Sequence, residues 1–259
     1  MILTDPIIIL IFIFGLCVGS FLNVCIYRLP IGKSIAFPPS HCPHCRTAIR
    51  TYDNIPVVGW LILKGRCRDC GNRISPRYPL VEFLTGLMAV CTYLKFGPTV
   101  DTVIYSIFIA VLIVITFIDI DHRIIPDKIT LPGIPLAFIA TFFLSNITWQ
   151  TSLYGILLGG GSLLLIAVGY AYFTGKEGMG GGDIKLLAMI GALCGWQGVV
   201  FTIFIGSVLG SVTGIAAMRH SGQGMKSALP FGPFLSVGAV GYIFLGPEMI
   251  HWYLSTLGG

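Results

Sequence analysis

Asp183 stands directly after Gly180-Gly181-Gly182 at the edge of an apolar run, and Asp119 closes another in Phe117-Ile118-Asp119-Ile120-Asp121. A carboxylate costs roughly 2.5–3.5 kcal/mol at the centre of a membrane helix and less near the interface, so such a residue is a functional candidate by default. Two acids at a membrane edge can divide one task. The ionised carboxylate takes a proton from a water, and the protonated one donates to a carbonyl oxygen; proximity separates their titrations because both cannot ionise cheaply. That is the chemistry of peptide hydrolysis by an aspartate pair. Glycines before Asp183 let an extended substrate backbone come close. Asp119, Asp121 and Asp127 compete to be its partner. Asp119 lies deepest in the apolar run, Asp121 neighbours His122 and Arg123 and reads as solvated, and Asp127 after Pro126 reads as a helix cap.

A second constellation is Cys42-Pro43-His44-Cys45 with Cys67-Arg68-Asp69-Cys70. Two CxxC knuckles suit a tetrahedral zinc site of four thiolates, Cys42, Cys45, Cys67 and Cys70. Four protein ligands leave no open position for water or substrate, so the zinc is expected to be structural and a metalloprotease is disfavoured. The segment that carries them has few large apolar residues, and a metal would supply its folding free energy. His44 reads as a bystander, and Cys17, Cys25, Cys91 and Cys194 fall in apolar spans as packing residues.

The elements that must position these groups are membrane helices. Of 259 residues, 55% are hydrophobic and only 10% charged, against about 25% charged in a soluble domain. The pattern predicts an all-α polytopic bundle of about eight spans, near 6–26, 79–96, 100–120, 129–145, 151–174, 184–196, 198–218 and 231–254. The first span shows no basic region before it and no evident cleavage site, so it is expected to be retained. The expected organisation is a first span over 1–26, a zinc-binding insert over 27–78 and a membrane bundle over 79–259. Gly206, Gly210 and Gly214 form a small-residue face for close helix approach.

Nine of the 16 Lys and Arg lie in residues 27–78, opposed there only by Asp53 and Asp69. The positive-inside rule puts that insert in the cytoplasm. Alternation then places Arg123, Lys128, Lys176, Lys185, Arg219 and Lys226 on the same side and Lys95 alone outside. Asp119 and Asp183 fall at cytoplasmic helix ends. The basic insert reads as attracted to anionic lipid headgroups rather than to nucleic acid, because no aromatic-rich basic motif accompanies it. A proton-coupled transporter would spread acids through the bilayer and repeat its halves; here both acids sit on one side and no repeat is visible.

These residues resemble the bacterial type IV prepilin peptidase family, of the GxGD aspartyl class, over nearly the whole chain. Gly19-Ser20-Phe21-Leu22-Asn23-Val24 with Arg28-Leu29-Pro30 looks like its first-span signature, and the two CxxC pairs like its zinc insert. Tyr52-Asp53-Asn54-Ile55-Pro56 and Arg77-Tyr78-Pro79-Leu80-Val81-Glu82 match segments within and beside that insert. Asp119-Ile120-Asp121-His122-Arg123-Ile124-Ile125-Pro126-Asp127 and Gly178-Met179-Gly180-Gly181-Gly182-Asp183-Ile184-Lys185 look like its two catalytic motifs, with Asp119 and Asp183 as the catalytic pair. The resemblance implies an enzyme of the bacterial inner membrane that cleaves prepilins and pseudopilins after a short basic leader ending in Gly. It also implies methylation of the new N-terminal amine with S-adenosylmethionine. No strand–GxGxxG–helix pattern supports a Rossmann-type cofactor site, so methyl transfer rests on the resemblance. Its expected residues are Asn23, Asp53, Asn54, Tyr78 and Glu82, between the insert and the first two spans.

Overall fold

The computed structural model describes residues 5–175, 180–221 and 230–257. Lys176, Gly178, Met179 and Lys226 lie outside the described residues. Among those described, the chain is helical, with α1 (Pro6–Arg28), a short α2 (Val58–Ile62), α3 (Arg77–Phe96), α4 (Val100–His122), α5 (Asp127–Ala140), α6 (Trp149–Thr174), α7 (Gly181–Ser221) and α8 (Gly232–Leu257). Six of these are long and apolar enough to cross a membrane, which makes this a multi-pass membrane protein. In hydrocarbon every backbone polar group must be satisfied within its own segment, which is why apolar runs of this length become helices. Exposed side chains such as Leu165 and Phe173, 75% and 86% accessible, are then expected where lipid is the solvent.

The eight predicted spans fall on seven helices, six of them long. The predicted spans 184–196 and 198–218 are the two helical halves of α7, divided by a kink at Gly195, φ 69° and ψ −178°. Only glycine enters that region without strain, so the residue that separates the two halves is also what lets them join without a loop. The predicted span 129–145 is α5, 14 residues long with Pro132 and Pro135 inside it, continued by a single 3-10 turn at Thr141–Phe143. Each internal proline removes a backbone hydrogen bond.

The chain forms two compact units that divide within α4, after Val114. In the first, α1 packs on α3. Asp5 caps α1 by accepting from the Ile7 amide at 2.9 Å, with Pro6 at the first helical position. Gly15 and Gly19 face α3 so closely that a Cβ would stand 2.7 Å from the Gly86 Cα and 2.6 Å from the Glu82 Cα respectively. Phe12 and Phe83 meet edge to face at 5.8 Å.

In the second unit α7 packs against α5, α6 and α8. Its first half is the core: Leu186, Leu187, Met189, Ile190 and Leu193 are all essentially inaccessible. Gly155 of α6 lies against the Gly191 carbonyl of α7, where no side chain fits, and the Ser152 hydroxyl donates to the Ala192 carbonyl at 2.5 Å. Small residues thus let α6 reach the α7 backbone. The predicted Gly206 and Gly210 face meets α8, with Phe231 and Phe234 opposite.

Candidate functional site

Asp119 lies in the last turn of α4 and is 5% exposed, whereas Asp121, two residues on, faces out. The helix stops there because Arg123 turns into the left-handed region at φ 55° while its amide still donates to the Asp119 carbonyl at 2.9 Å. The Asp119 carboxylate is held by the start of another helix: Oδ2 accepts from the Gly232 amide, the first residue of α8, at 3.0 Å. Unpaired amides at a helix N-terminus favour an anion there. A Cβ at 232 would stand 2.7 Å from Oδ2, so a side chain there would press on the carboxylate.

Asp183 occupies the first turn of α7, half-buried, with its amide donating to the Gly180 carbonyl at 3.2 Å. Its carboxylate is close enough to Asp119 to feel that charge. Gly182 before it abuts Ile125, where a Cβ would come within 2.9 Å of the isoleucine Cβ. Asp127 is not the helix cap expected of it. Pro126 occupies the capping position, and Asp127 instead accepts from Lys185 at 2.6 Å. Of the three acids that competed, the structure brings Asp119 into electrostatic range of Asp183 and gives Asp127 a cationic partner.

The two cysteine knuckles are built alike. The Cys42 amide donates to Thr47 and the Cys67 amide to Asn72, and the returning chain enters the left-handed region at Arg46 and at Gly71. Short antiparallel bridges, His41 with Ala48 and Arg66 with Arg73, close each knuckle. The Sγ atoms of Cys42, Cys45, Cys67 and Cys70 all lie within 4.8 Å of one another, and none is in a disulfide. A tetrahedral ion with metal–sulfur bonds of about 2.3 Å needs sulfurs about 3.8 Å apart; Cys42 and Cys70 are 3.8 Å apart. The donor set therefore fits a metal ion, and His44 is not part of it. Hydrogen bonds from Thr47 pull the Cys45 thiol down to about 6.

A cavity of about 660 Å³ opens between the α1–α3 pair and the insert, within the size range of small-molecule sites. All five residues expected for a cofactor, Asn23, Asp53, Asn54, Tyr78 and Glu82, line it. Their roles differ. Asn23 donates its side-chain amide to the Tyr78 carbonyl at 3.1 Å, which ties α1 to the start of α3. Buried Glu82 accepts from the Val57 amide at 2.7 Å and from Ser20. Val57 sits at φ 61°, a strained conformation for a β-branched residue of the kind that clusters at ligand clamps. Asp53 has both carboxylate oxygens occupied by Arg68, at 2.9 and 2.6 Å, and this guanidinium holds its carboxyl below the usual range. Trp60, fixed by its indole N–H on the Ile74 carbonyl at 3.1 Å, adds an aromatic wall. Sequence reasoning missed Val57, Trp60 and Ser20. The strain at Val57 leaves no mark on composition, and a tryptophan in a polar insert with few large apolar residues was the one available signal.

Fold and site together define a multi-pass helical membrane protein with a buried and a half-buried carboxylate at helix ends and a four-cysteine cluster beside a ligand-sized cavity. Residues 13–96 match the bacterial peptidase A24 N-terminal domain, and residues 106–215 match the type IV leader peptidase family. Three relatives are each named prepilin leader peptidase/N-methyltransferase. The one from Aeromonas salmonicida (strain A449) is 35% identical over 96% of this chain and 94% of its own. That from Pseudomonas putida is 35% identical over 95% and 93%, and that from Legionella pneumophila 34% over 93% and 92%. The chain belongs to the type IV leader peptidase family. No solved structure matches it.

Proposed function

We propose that this protein hydrolyses the leader of type IV prepilins and pseudopilins with Asp119 and Asp183, and methylates the new N-terminus from S-adenosylmethionine. The observation that carries the first reaction is a buried Asp119 carboxylate, held by the Gly232 amide, within electrostatic range of Asp183. One carboxylate accepts a proton from water as its oxygen attacks the scissile carbonyl. The other donates to the carbonyl oxygen, and collapse of the tetrahedral intermediate breaks the C–N bond as the amine takes up a proton. Gly181 near Asp183 has open space around it and leaves room for the substrate backbone.

For the second reaction, the relatives' names motivate the chemistry and the cavity supplies a place. S-adenosylmethionine, when bound, supplies an electrophilic methyl group to the amine. Asn54 and Tyr78 offer polar contacts, Trp60 an apolar wall, and Glu82 a carboxylate of opposite charge to the sulfonium. Four thiolates suit zinc in a structural role. The family supports a bacterial inner-membrane location, and charge asymmetry in the loops supports an orientation with this insert and both aspartates on the cytoplasmic side; the partners are prepilins and lipid, with no nucleic acid.

The deciding measurement is cleavage of a prepilin in detergent by Asp119→Asn and Asp183→Asn proteins, with helicity and zinc content matched to the parent. Each variant is expected to lose about 10²–10⁴-fold in rate. Parental activity in either one rejects that residue's role.

A further inference from the structure

The two residues between the cysteines of the second knuckle are both ion-paired to the turn that walls the cavity. Arg68 donates from Nε and Nη2 to the two oxygens of Asp53, at 2.9 and 2.6 Å, and Asp69 faces Arg50 at 3.7 Å. Arg50 also donates to the Tyr52 hydroxyl at 2.8 Å, and the Arg68 guanidinium lies over the Tyr52 ring at 5.5 Å. The turn itself, Thr51–Asn54, is a single 3-10 turn with no buried residue. It has no core to fix it. Its other attachment is the Asp53 carbonyl, packed against Gly59, where no Cβ fits. From there the chain runs to Val57, which Glu82 of α3 holds by its amide. The cavity wall therefore hangs between α3 on one side and the second knuckle on the other.

An isolated exposed ion pair contributes little. This one differs in two respects. It is a fork on both carboxylate oxygens, the strongest geometry for such a contact, and the Asp53 side chain is only 7% exposed. Order at Cys67–Cys70 reaches the wall through this fork, whose Arg68 side is 39% exposed.

We propose that Arg68 is a positioning residue that couples the four-cysteine metal cluster to the ligand cavity through Asp53, so that metal and methyl donor bind cooperatively. This rests on the reading of the cavity as the S-adenosylmethionine site. Metal binding fixes the knuckle, the knuckle fixes the Thr51–Asn54 turn, and the turn presents Asn54 to the ligand. Binding free energies are reciprocal, so a ligand in the cavity must stabilise the metal by the same factor.

The test uses the full chain in detergent, S-adenosylhomocysteine as the probe, and zinc transfer to a chromophoric chelator as a second readout. In the parent, stripping zinc is expected to weaken S-adenosylhomocysteine about tenfold, and saturating S-adenosylhomocysteine to reduce the zinc dissociation constant by a similar factor. Arg68→Lys keeps the charge and loses the fork; it is expected to retain one zinc per chain and lose both effects. Exchanging the partners, Asp53→Arg with Arg68→Asp, is expected to restore part of the zinc response. A parent that binds S-adenosylhomocysteine equally with and without zinc overturns the coupling and leaves the cavity reading intact, as does an Arg68→Lys protein with both effects unchanged. A zinc-loaded parent that does not bind S-adenosylhomocysteine overturns both.

Discussion

The two compact units of this chain hold their chemical groups by opposite means. Up to Val114, the cavity and cysteine cluster stand on turns of a polar insert, held by ion pairs, a buried glutamate and sulfur geometry. From Ile115 on, both aspartates stand at helix ends, and what places them is backbone: an amide of α8 on Asp119, and Asp183 in the first turn of α7, whose next turns are fully buried. A site on helix termini inherits the rigidity of the helices. A site on an insert without a core is only as ordered as its cross-links, and here these include two ion pairs to a metal knuckle.

The sharpest way to break this contrast is to make one small change in each unit. Gly232→Ala adds a methyl group 2.7 Å from the Asp119 oxygen. Displacement of a reacting group by about 1 Å can cost about 10²-fold, so leader cleavage is expected to fall by about that factor, while S-adenosylhomocysteine affinity stays unchanged. A loss of both would show that the units are not independent in function.

Gly19→Ala is the matching change in the first unit. Its Cβ would stand 2.6 Å from the Glu82 Cα and 3.1 Å from the Glu82 carbonyl oxygen. Backbone cannot rotate aside, so α1 and α3 must part. Overpacking of this kind costs about 1–3 kcal/mol, and if about 1.4 kcal/mol of it reaches the cavity the dissociation constant for S-adenosylhomocysteine rises about tenfold. Calorimetry measures that directly, with prepilin cleavage expected to remain near the parental rate. A Gly19→Ala protein that binds S-adenosylhomocysteine as the parent does would show that Glu82 is not set by the α1–α3 contact.

The aspartates and the cysteines were legible in the sequence because each violates its surroundings. A carboxylate at the edge of an apolar run and a doubled CxxC are expensive or specific enough to need a cause. The helices were legible because lipid permits little else. The break at Gly195 was legible only as a division between two predicted spans, since a glycine in an apolar run reads equally as packing. The cavity was not legible from composition. Asn23, Asp53, Asn54, Tyr78 and Glu82 came from resemblance, and even then the assignment of Asp53 to a ligand did not foresee that Arg68 takes both its oxygens. That pairing joins residues 15 positions apart through a folded turn, and no periodicity announces it.

The smallest expected effect bears on the acid that sequence could not dismiss. Asp127 lies in the same motif as Asp119 and stands close to Asp183 through its partner, Lys185, two residues further along α7. If it were the true second acid, the burial of Asp119 would be incidental. Its surroundings argue otherwise. The Asp127 side chain is 55% exposed and that of Lys185 33%, so water screens the pair, and contacts of this type contribute at most about 1 kcal/mol. Asp127→Asn is therefore expected to leave prepilin cleavage within about fivefold of the parent, the factor that 1 kcal/mol allows. Lys185→Met is expected to do the same, since both changes remove one surface contact between α5 and α7. A fall at Asp127→Asn as deep as that at Asp119→Asn would transfer the catalytic role to Asp127 and leave the Gly232 amide as the anchor of a merely structural carboxylate.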